Sequence, residues 1–285
     1  MATPSERRFD LVVLDLDGTI LDLYHHKPIT PVVVDAIAAV QAAGIPVTIA
    51  TGRTLDYVRE HVAHLGITTP VVTTQGAVIG DPTTGEVLAE TTIALPLARA
   101  AAAWVDAQPY ITSFYFLAHD GRTLIYQNRG GPEPDFYDHV FGFSRTMQPS
   151  FTDLLAADGA HPPLKFLVID DSPSGHDLAA ELRGLFSPDL YITRTHPRLV
   201  EGTAQNMNKG QGMLRLCRIL GIDPARVLAI GDSDNDIPVL EAAGYAVAMG
   251  NSTDGVKAVA DWMAPPVEED GAAVALRRLV LGEKG

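Results

Sequence analysis

The 285-residue chain is predicted to be an α/β protein, a Rossmann-like parallel sheet interrupted by an inserted α/β domain. Three observations predict this. Short apolar runs alternate with helix-patterned segments over the first third, and the same alternation resumes at Lys209. The stretch between them has a different, more antiparallel character. Apolar runs spaced by helices mark βαβ units, in which strands are buried on both faces. A chain of this length supports a well-buried core and divides into two domains. The expected division is 1–91 with 196–285 as one domain and 92–195 as the insert.

In order, residues 10–15 read as a strand and 31–43, stopped by Gly44, as a helix. A strand over 46–50 and a helix over 54–65 follow, then a strand over 71–74. Residues 77–80 and 86–90 flank Asp81-Pro82-Thr83-Thr84-Gly85, whose turn residues predict a hairpin. The middle segment opens with an Ala-rich helix over 97–107 and continues with alternating strands over 111–117 and 123–127. A polar Gly/Pro stretch over 128–134 comes next, then a strand over 164–170, a helix near 174–184 and a strand over 190–193. From Lys209 the pattern is a helix to Leu220, a strand over 226–230, a helix over 235–243, a strand over 245–249 and closing helices.

The composition is that of a soluble globular protein, with 46% hydrophobic residues and a formal charge of -14. That charge repels phosphate backbones at long range and argues against a nucleic-acid partner. No stretch approaches the ~18 apolar residues of a membrane span. Arg7-Arg8 invites comparison with a twin-arginine signal, but Asp10, Asp15 and Asp17 interrupt the segment that should be uncharged. Cys217 is the single cysteine; it lies in an apolar helical pattern as a packing residue and fits a reducing cytoplasm. No feature of the sequence sets an oligomeric state.

The chemistry gathers at strand ends, where open parallel sheets bind ligands. The run Leu11-Val12-Val13-Leu14 delivers Asp15-Leu16-Asp17-Gly18-Thr19. Two acids one residue apart at the end of a buried strand repel and resist desolvation unless a cation or reacting group compensates them. After the second strand comes Thr51-Gly52-Arg53, ahead of the resumed alternation Asn208-Lys209-Gly210, and after the next strand Gly231-Asp232-Ser233-Asp234-Asn235-Asp236. Carboxylates from two strands suit an oxygen-ligated cation, most simply Mg²⁺. A hydroxyl and an ammonium nearby suit phosphoryl oxygens. Singly, each piece has a plain alternative: a strand-end turn, a helix cap, a solvated lysine or a calcium loop. The last fails on frame, since Ile237-Pro238 stand where an EF-hand needs its glycine and later glutamate.

This ordered set resembles the haloacid dehalogenase superfamily through Asp15-x-Asp17-Gly18-Thr19, Thr51, Lys209 and Gly231-Asp232-x-x-Asn235-Asp236. The wording between the motifs is similar to its Cof-type sugar-phosphatase branch: Ala50 through Arg53, Gly76-Ala77, Asn208-Lys209-Gly210, Ala246 through Asn251, and Glu269-Asp270-Gly271. The resemblance implies Mg²⁺-dependent hydrolysis of small phosphorylated metabolites, with the insert as an α/β cap that covers the reaction. It implies Asp15 as nucleophile, Asp17 as proton carrier, and Thr51, Gly52, Arg53, Lys209 and Asn235 around the phosphoryl group. The cation would be held by Asp15, the Asp17 carbonyl and Asp232, with Asp236 supporting the metal or orienting Lys209. Gln75 stands where the branch usually has Asn, and Ile237-Pro238 replace a Met-containing turn. A phosphomutase of the superfamily would share every motif. A receiver domain lacks the second acid of Asp-x-Asp and the insert, and a non-catalytic binding protein would be expected to lose a catalytic position.

Fewer grounds attach to other residues. His25-His26 follow the catalytic turn, and His61 and His64 share a helix face that reads as surface. In the insert, Arg122, Tyr126, Arg129 and Lys165 suit a polar substrate or, equally, a solvated sheet edge.

Overall fold

The computed structural model describes residues 8–22, 28–133, 135–136, 138, 144–171 and 176–283. His25 and His26 lie outside the described residues. The chain forms two compact units, Met1–Leu88 with Asn208–Gly285, and Ala89–Met207.

The first unit opens with β1 (Leu11–Leu14), the helix Pro31–Ala42, β2 (Val47–Ile49), the helix Leu55–His64 and β3 (Val71–Thr73). Thr30 and Thr54 begin the two helices, their hydroxyls accepting from the backbone N–H groups of Val33 and Tyr57. The predicted hairpin forms as β4 (Val78–Gly80) and β5 (Val87–Glu90), which complete a three-stranded sheet in the order β3-β4-β5.

The second unit begins with the helix Leu95–Asp106, then β6 (Thr112–Leu117), β7 (Thr123–Gln127), β8 (Arg145–Met147) and the helix Phe151–Ala156. β9 (Lys165–Ile169), the helix Leu178–Phe186, β10 (Leu190–His196) and β11 (Leu199–Ala204) follow. Its six strands run β10-β11-β9-β6-β7-β8, antiparallel but for β7 with β8. Phe114 packs at its centre against Phe151 and Phe166, with ring centroids 4.5 Å and 5.6 Å away respectively, among Ala98, Ala102, Val105, Leu178 and Leu182 of the helices.

The boundary falls at Asn208 rather than 196, because β11 pairs with both β9 and β10 and belongs to this sheet. The suggested substrate readers also have partners of their own. Lys165 is buried, 2.5 Å from Glu201 and over the Tyr115 ring, while Arg122 pairs with Asp120 on the surface. Arg129 donates to the Gln108 carbonyl, and Tyr126 packs edge-on to Phe116.

The chain returns to the first unit with the helix Lys209–Leu220, β12 (Val227–Gly231), the helix Ile237–Ala242, β13 (Tyr245–Ala248), the helix Asp254–Val259, β14 (Trp262–Met263) and the helix Gly271–Ala275. The main sheet runs β14-β13-β12-β1-β2, and every pair in it is parallel. Leu14, Val47, Ile49, Leu228 and Val247 fill the core between helices, packed with Ile37, Val40, Val58 and Val62. β1 lies between β2 and β12, so the chain crosses to opposite sides of β1 in its two halves. The crevice at such a reversal opens at the carboxyl ends of these strands. Cys217 is buried, 3.4 Å from the Met213 sulfur, as a packing cysteine; burial, then Asp223, pushes its thiol up to about 11. Among the described residues no helix is long and apolar enough to cross a membrane.

Candidate active site

β1 ends at Leu14 and hands its next residue, Asp15, to the crevice; β12 does the same for Asp232. Lys209 is the first residue of its helix, and Asn208 caps that helix by accepting from the Gln211 N–H. The Lys209 ammonium, 1% exposed, lies 2.6 Å from Asp15 Oδ1 and 2.6 Å from Asp236 Oδ1. The other oxygen of Asp236 accepts from the backbone N–H groups of Asp232 and Ser233, each at 3.0 Å. Asp232 in turn accepts from Thr19 Oγ1 and Ser233 Oγ, both at 3.1 Å. Carboxylate oxygens of Asp15, Asp232 and Asp236 lie within 4.8 Å of one another.

The turns that carry these groups have little latitude. Gly18 has φ +86°, and a Cβ there would sit 2.4 Å from an Asp232 carboxylate oxygen. Gly76 has φ +93°, and a Cβ there would sit 2.2 Å from the Asn208 carbonyl, in the residue before Lys209. A side chain at either position would push an acid-bearing or lysine-bearing segment out of place.

Three buried acids share one ammonium, and the electrostatics follow from that shortage. Burial raises the Asp15 carboxyl well above its ordinary value, and Asp236 adds to it, outweighing the opposing pull of Lys209. Burial and then Asp236 push Asp232 up to about 7. Burial alone would lower Lys209, but Asp15 and Asp236 hold it above its ordinary value. An acid whose pKa is higher folded than unfolded stabilises the fold at low pH and loses that contribution as pH rises. For Asp232 the loss spans the interval from the ordinary 3.8 to about 7, and Asp15 acts with the same sign. The melting temperature in a chelator is therefore expected to fall between pH 5 and pH 8. A melting temperature that rises over this interval would contradict the arrangement.

The remaining sequence-predicted residues are brought to the same crevice with different partners. Thr51 is buried, its hydroxyl accepting from the Arg53 N–H at 3.2 Å, with Gly52 between them in the turn. Arg53 grips the Asp17 carboxylate through Nε at 2.8 Å and a terminal nitrogen at 3.3 Å. Asn235 donates to Gln75 Oε1 at 3.2 Å. His61 and His64 belong to no metal-ligating cluster among the described residues.

The haloacid dehalogenase-like hydrolase family matches residues 12–276. The chain belongs to this family. The Bacillus subtilis phosphatase YwpJ is 29% identical over 95% of this hydrolase and 99% of its own length. The Bacillus subtilis 5-amino-6-(5-phospho-D-ribitylamino)uracil phosphatase YcsE is 30% identical over 95% and 96%. A solved haloacid dehalogenase-like hydrolase from B. subtilis superposes with a TM-score of 0.82 at 28% identity, covering 95% of this chain and 99% of that one. The enzyme class is that of a phosphoric monoester hydrolase.

Two features of this hydrolase's site lie in segments that the sequence marked only by resemblance. Thr74 and Gln75 both have left-handed backbones, φ 54° and 58°, and the buried Thr74 hydroxyl has no hydrogen-bond partner among the described residues. A β-branched residue in that region stores strain of the kind found around functional sites. Gln75 and Gly76 were the hints of this turn in the sequence. The second feature is Asn251, whose amide reaches back to the Gly18 carbonyl in the turn after β1.

Proposed function

We propose that this hydrolase cleaves small phosphomonoesters with Asp15 as nucleophile, through an aspartyl-phosphate, with Mg²⁺ as cofactor. The observation that carries the reading is the buried set of Asp15, Asp232 and Asp236 around the single ammonium of Lys209. Three carboxylates against one ammonium leave excess negative charge out of water, which a hard divalent cation would neutralise, so the donor set fits Mg²⁺. Asp15 and Asp232 would hold it, with the Asp17 carbonyl. Asp236 spends one oxygen on Lys209 and the other on two backbone N–H groups, so its part is to orient Lys209 and the Asp232 turn. When bound, the cation shields the nucleophile from the phosphate dianion and polarises the phosphoryl oxygens.

Asp15 Oδ attacks phosphorus and the ester oxygen leaves. Asp17 protonates that oxygen and then takes a proton from the water that hydrolyses the acyl phosphate. Arg53 holds Asp17 in place beforehand, so proton delivery requires Asp17 to exchange the guanidinium for the reacting oxygen. Thr51, Lys209 and Asn235 donate to phosphoryl oxygens, where charge builds in transfer.

A sugar phosphate or a similar small metabolite is the proposed substrate, and the buried free thiol of Cys217 suits action in the cytoplasm. The test is a phosphate-release screen over phosphorylated sugars, polyols, nucleotides and vitamin precursors, with Mg²⁺ and with a chelator. The panel includes the ribityl phosphate in the name of YcsE. Asp17→Asn is expected to cut the rate about 10²–10⁴-fold, the share that general acid–base catalysis supplies. Release that survives complete metal removal would sink the Mg²⁺ role, and isomer formed without phosphate would make the enzyme a mutase.

A further inference from the structure

The segment 246–251, singled out by its resemblance, takes no part in the chemistry above, yet its end touches both acid-bearing turns. Asn251 Nδ2 donates to the Gly18 carbonyl at 2.9 Å, while its Oδ1 accepts from the Val267 N–H at 2.9 Å. The next residue, Ser252, is buried and donates its hydroxyl to the Gly231 carbonyl at 3.3 Å. The Thr253 N–H donates to the Asp232 carbonyl at 3.1 Å, and its hydroxyl donates to Asp234 at 2.7 Å. Three consecutive residues thus tie the turn after β1 to the turn after β12. Between those two turns, Thr19 to Asp232 supplies a direct side-chain link.

We propose that Asn251 is a positioning residue that sets the separation between the Asp15–Thr19 turn and Asp232, and through it the affinity for a divalent cation. The inference rests on the Mg²⁺ reading of the site. The Gly18 carbonyl belongs to the peptide that joins Gly18 to Thr19, so an amide fixed on it holds the residue whose hydroxyl reaches Asp232. Without it, the turn retains its contacts to Leu21, Ile230, Arg53, Lys209 and Asp232, none of which ties it to the segment after β13. Asn251 is itself exposed, so its replacement leaves the packed core intact.

Asn251→Asp separates positioning from charge. The carboxylate is isosteric and still accepts from Val267, but it has no N–H for Gly18. Its added negative charge would by itself draw Mg²⁺ closer, so weaker binding cannot come from simple electrostatics. The measurement is a Mg²⁺ titration followed by thermal unfolding of the unsubstituted protein, Asn251→Asp and Asn251→Ala. Steady-state phosphate release at saturating Mg²⁺ accompanies it.

Both variants are expected to need about tenfold more Mg²⁺ for half the stabilisation, the scale of effect of groups that orient metal ligands. KM for the phosphomonoester at saturating Mg²⁺ should stay within about twofold, since a lost outer contact to the metal ligands leaves substrate groups in place. An unchanged Mg²⁺ midpoint in both variants, or a tighter one in Asn251→Asp, would overturn the proposal. Unsubstituted protein that gains no stability from Mg²⁺ would instead overturn the metal reading beneath it, so the two failures are distinct.

Discussion

Asp15→Asn is expected to lower phosphate release on the order of 10⁴-fold or more, because an amide cannot supply the attacking oxygen. The substitution is nearly isosteric, and the amide oxygen can still accept from the Lys209 ammonium, now 2.6 Å from Asp15 Oδ1. Any loss therefore reports the missing nucleophile rather than a rearranged site. Stability should move the other way. Burial and Asp236 raise the Asp15 carboxyl, which means the folded protein holds this charge at a cost. Neutralising it relieves repulsion with Asp232 and Asp236, so the melting temperature in a chelator should stay level or rise. Paired measurements of phosphate release and thermal unfolding check both halves. Activity within about tenfold of the unsubstituted rate would exclude Asp15 as the nucleophile.

Much of this was legible in the sequence because the first unit is built from strands that are simple to read. β1, β2, β12 and β13 are wholly or almost wholly buried runs bounded by glycine, proline or acid, and each lies within one or two residues of its expected place. Because such strands end in the crevice, the residues just past them were identifiable as a site before any packing was known. The second unit hid more. β11 carries Glu201 and Gly202 in the middle of a sheet, a pattern that reads as loop. Its burial is explained by Lys165, which comes from β9 and neutralises Glu201. β8 has three half-buried or exposed residues, and β14 has two, too few for any periodicity to register. The pairing of Arg53, which the resemblance places around the phosphoryl group, was hidden for a related reason. Spacing placed it in the crevice, but its bidentate grip on Asp17 depends on a turn from a different strand. Local pattern reports which residues reach a site; the pairings within it are long-range facts.

Lys209→Met is expected to destabilise the metal-free protein by roughly 3–5 kcal/mol at pH 8, the usual cost of removing one partner from a buried ion pair. Methionine keeps the unbranched stem, which is 1% exposed, so the change isolates the ammonium. Asp15 and Asp236 would then face each other and Asp232 with no cation among them. The folded-state pKa of Lys209 is raised, so its contribution is fully present below its ordinary value of 10.5 and disappears only as pH climbs beyond that. The deficit should shrink toward pH 5, where the uncompensated acids can take up protons instead. Mg²⁺ separates the two jobs of this lysine. A divalent cation can replace the missing positive charge, so it should recover most of the lost melting temperature in Lys209→Met. It cannot replace a hydrogen-bond donor aimed at a phosphoryl oxygen, and turnover should stay about 10²–10³-fold down at saturating Mg²⁺. Recovery of both stability and turnover would reduce Lys209 to a counter-ion for Asp15 and Asp236, and the phosphoryl oxygens would then depend on Thr51 and Asn235 for their donors.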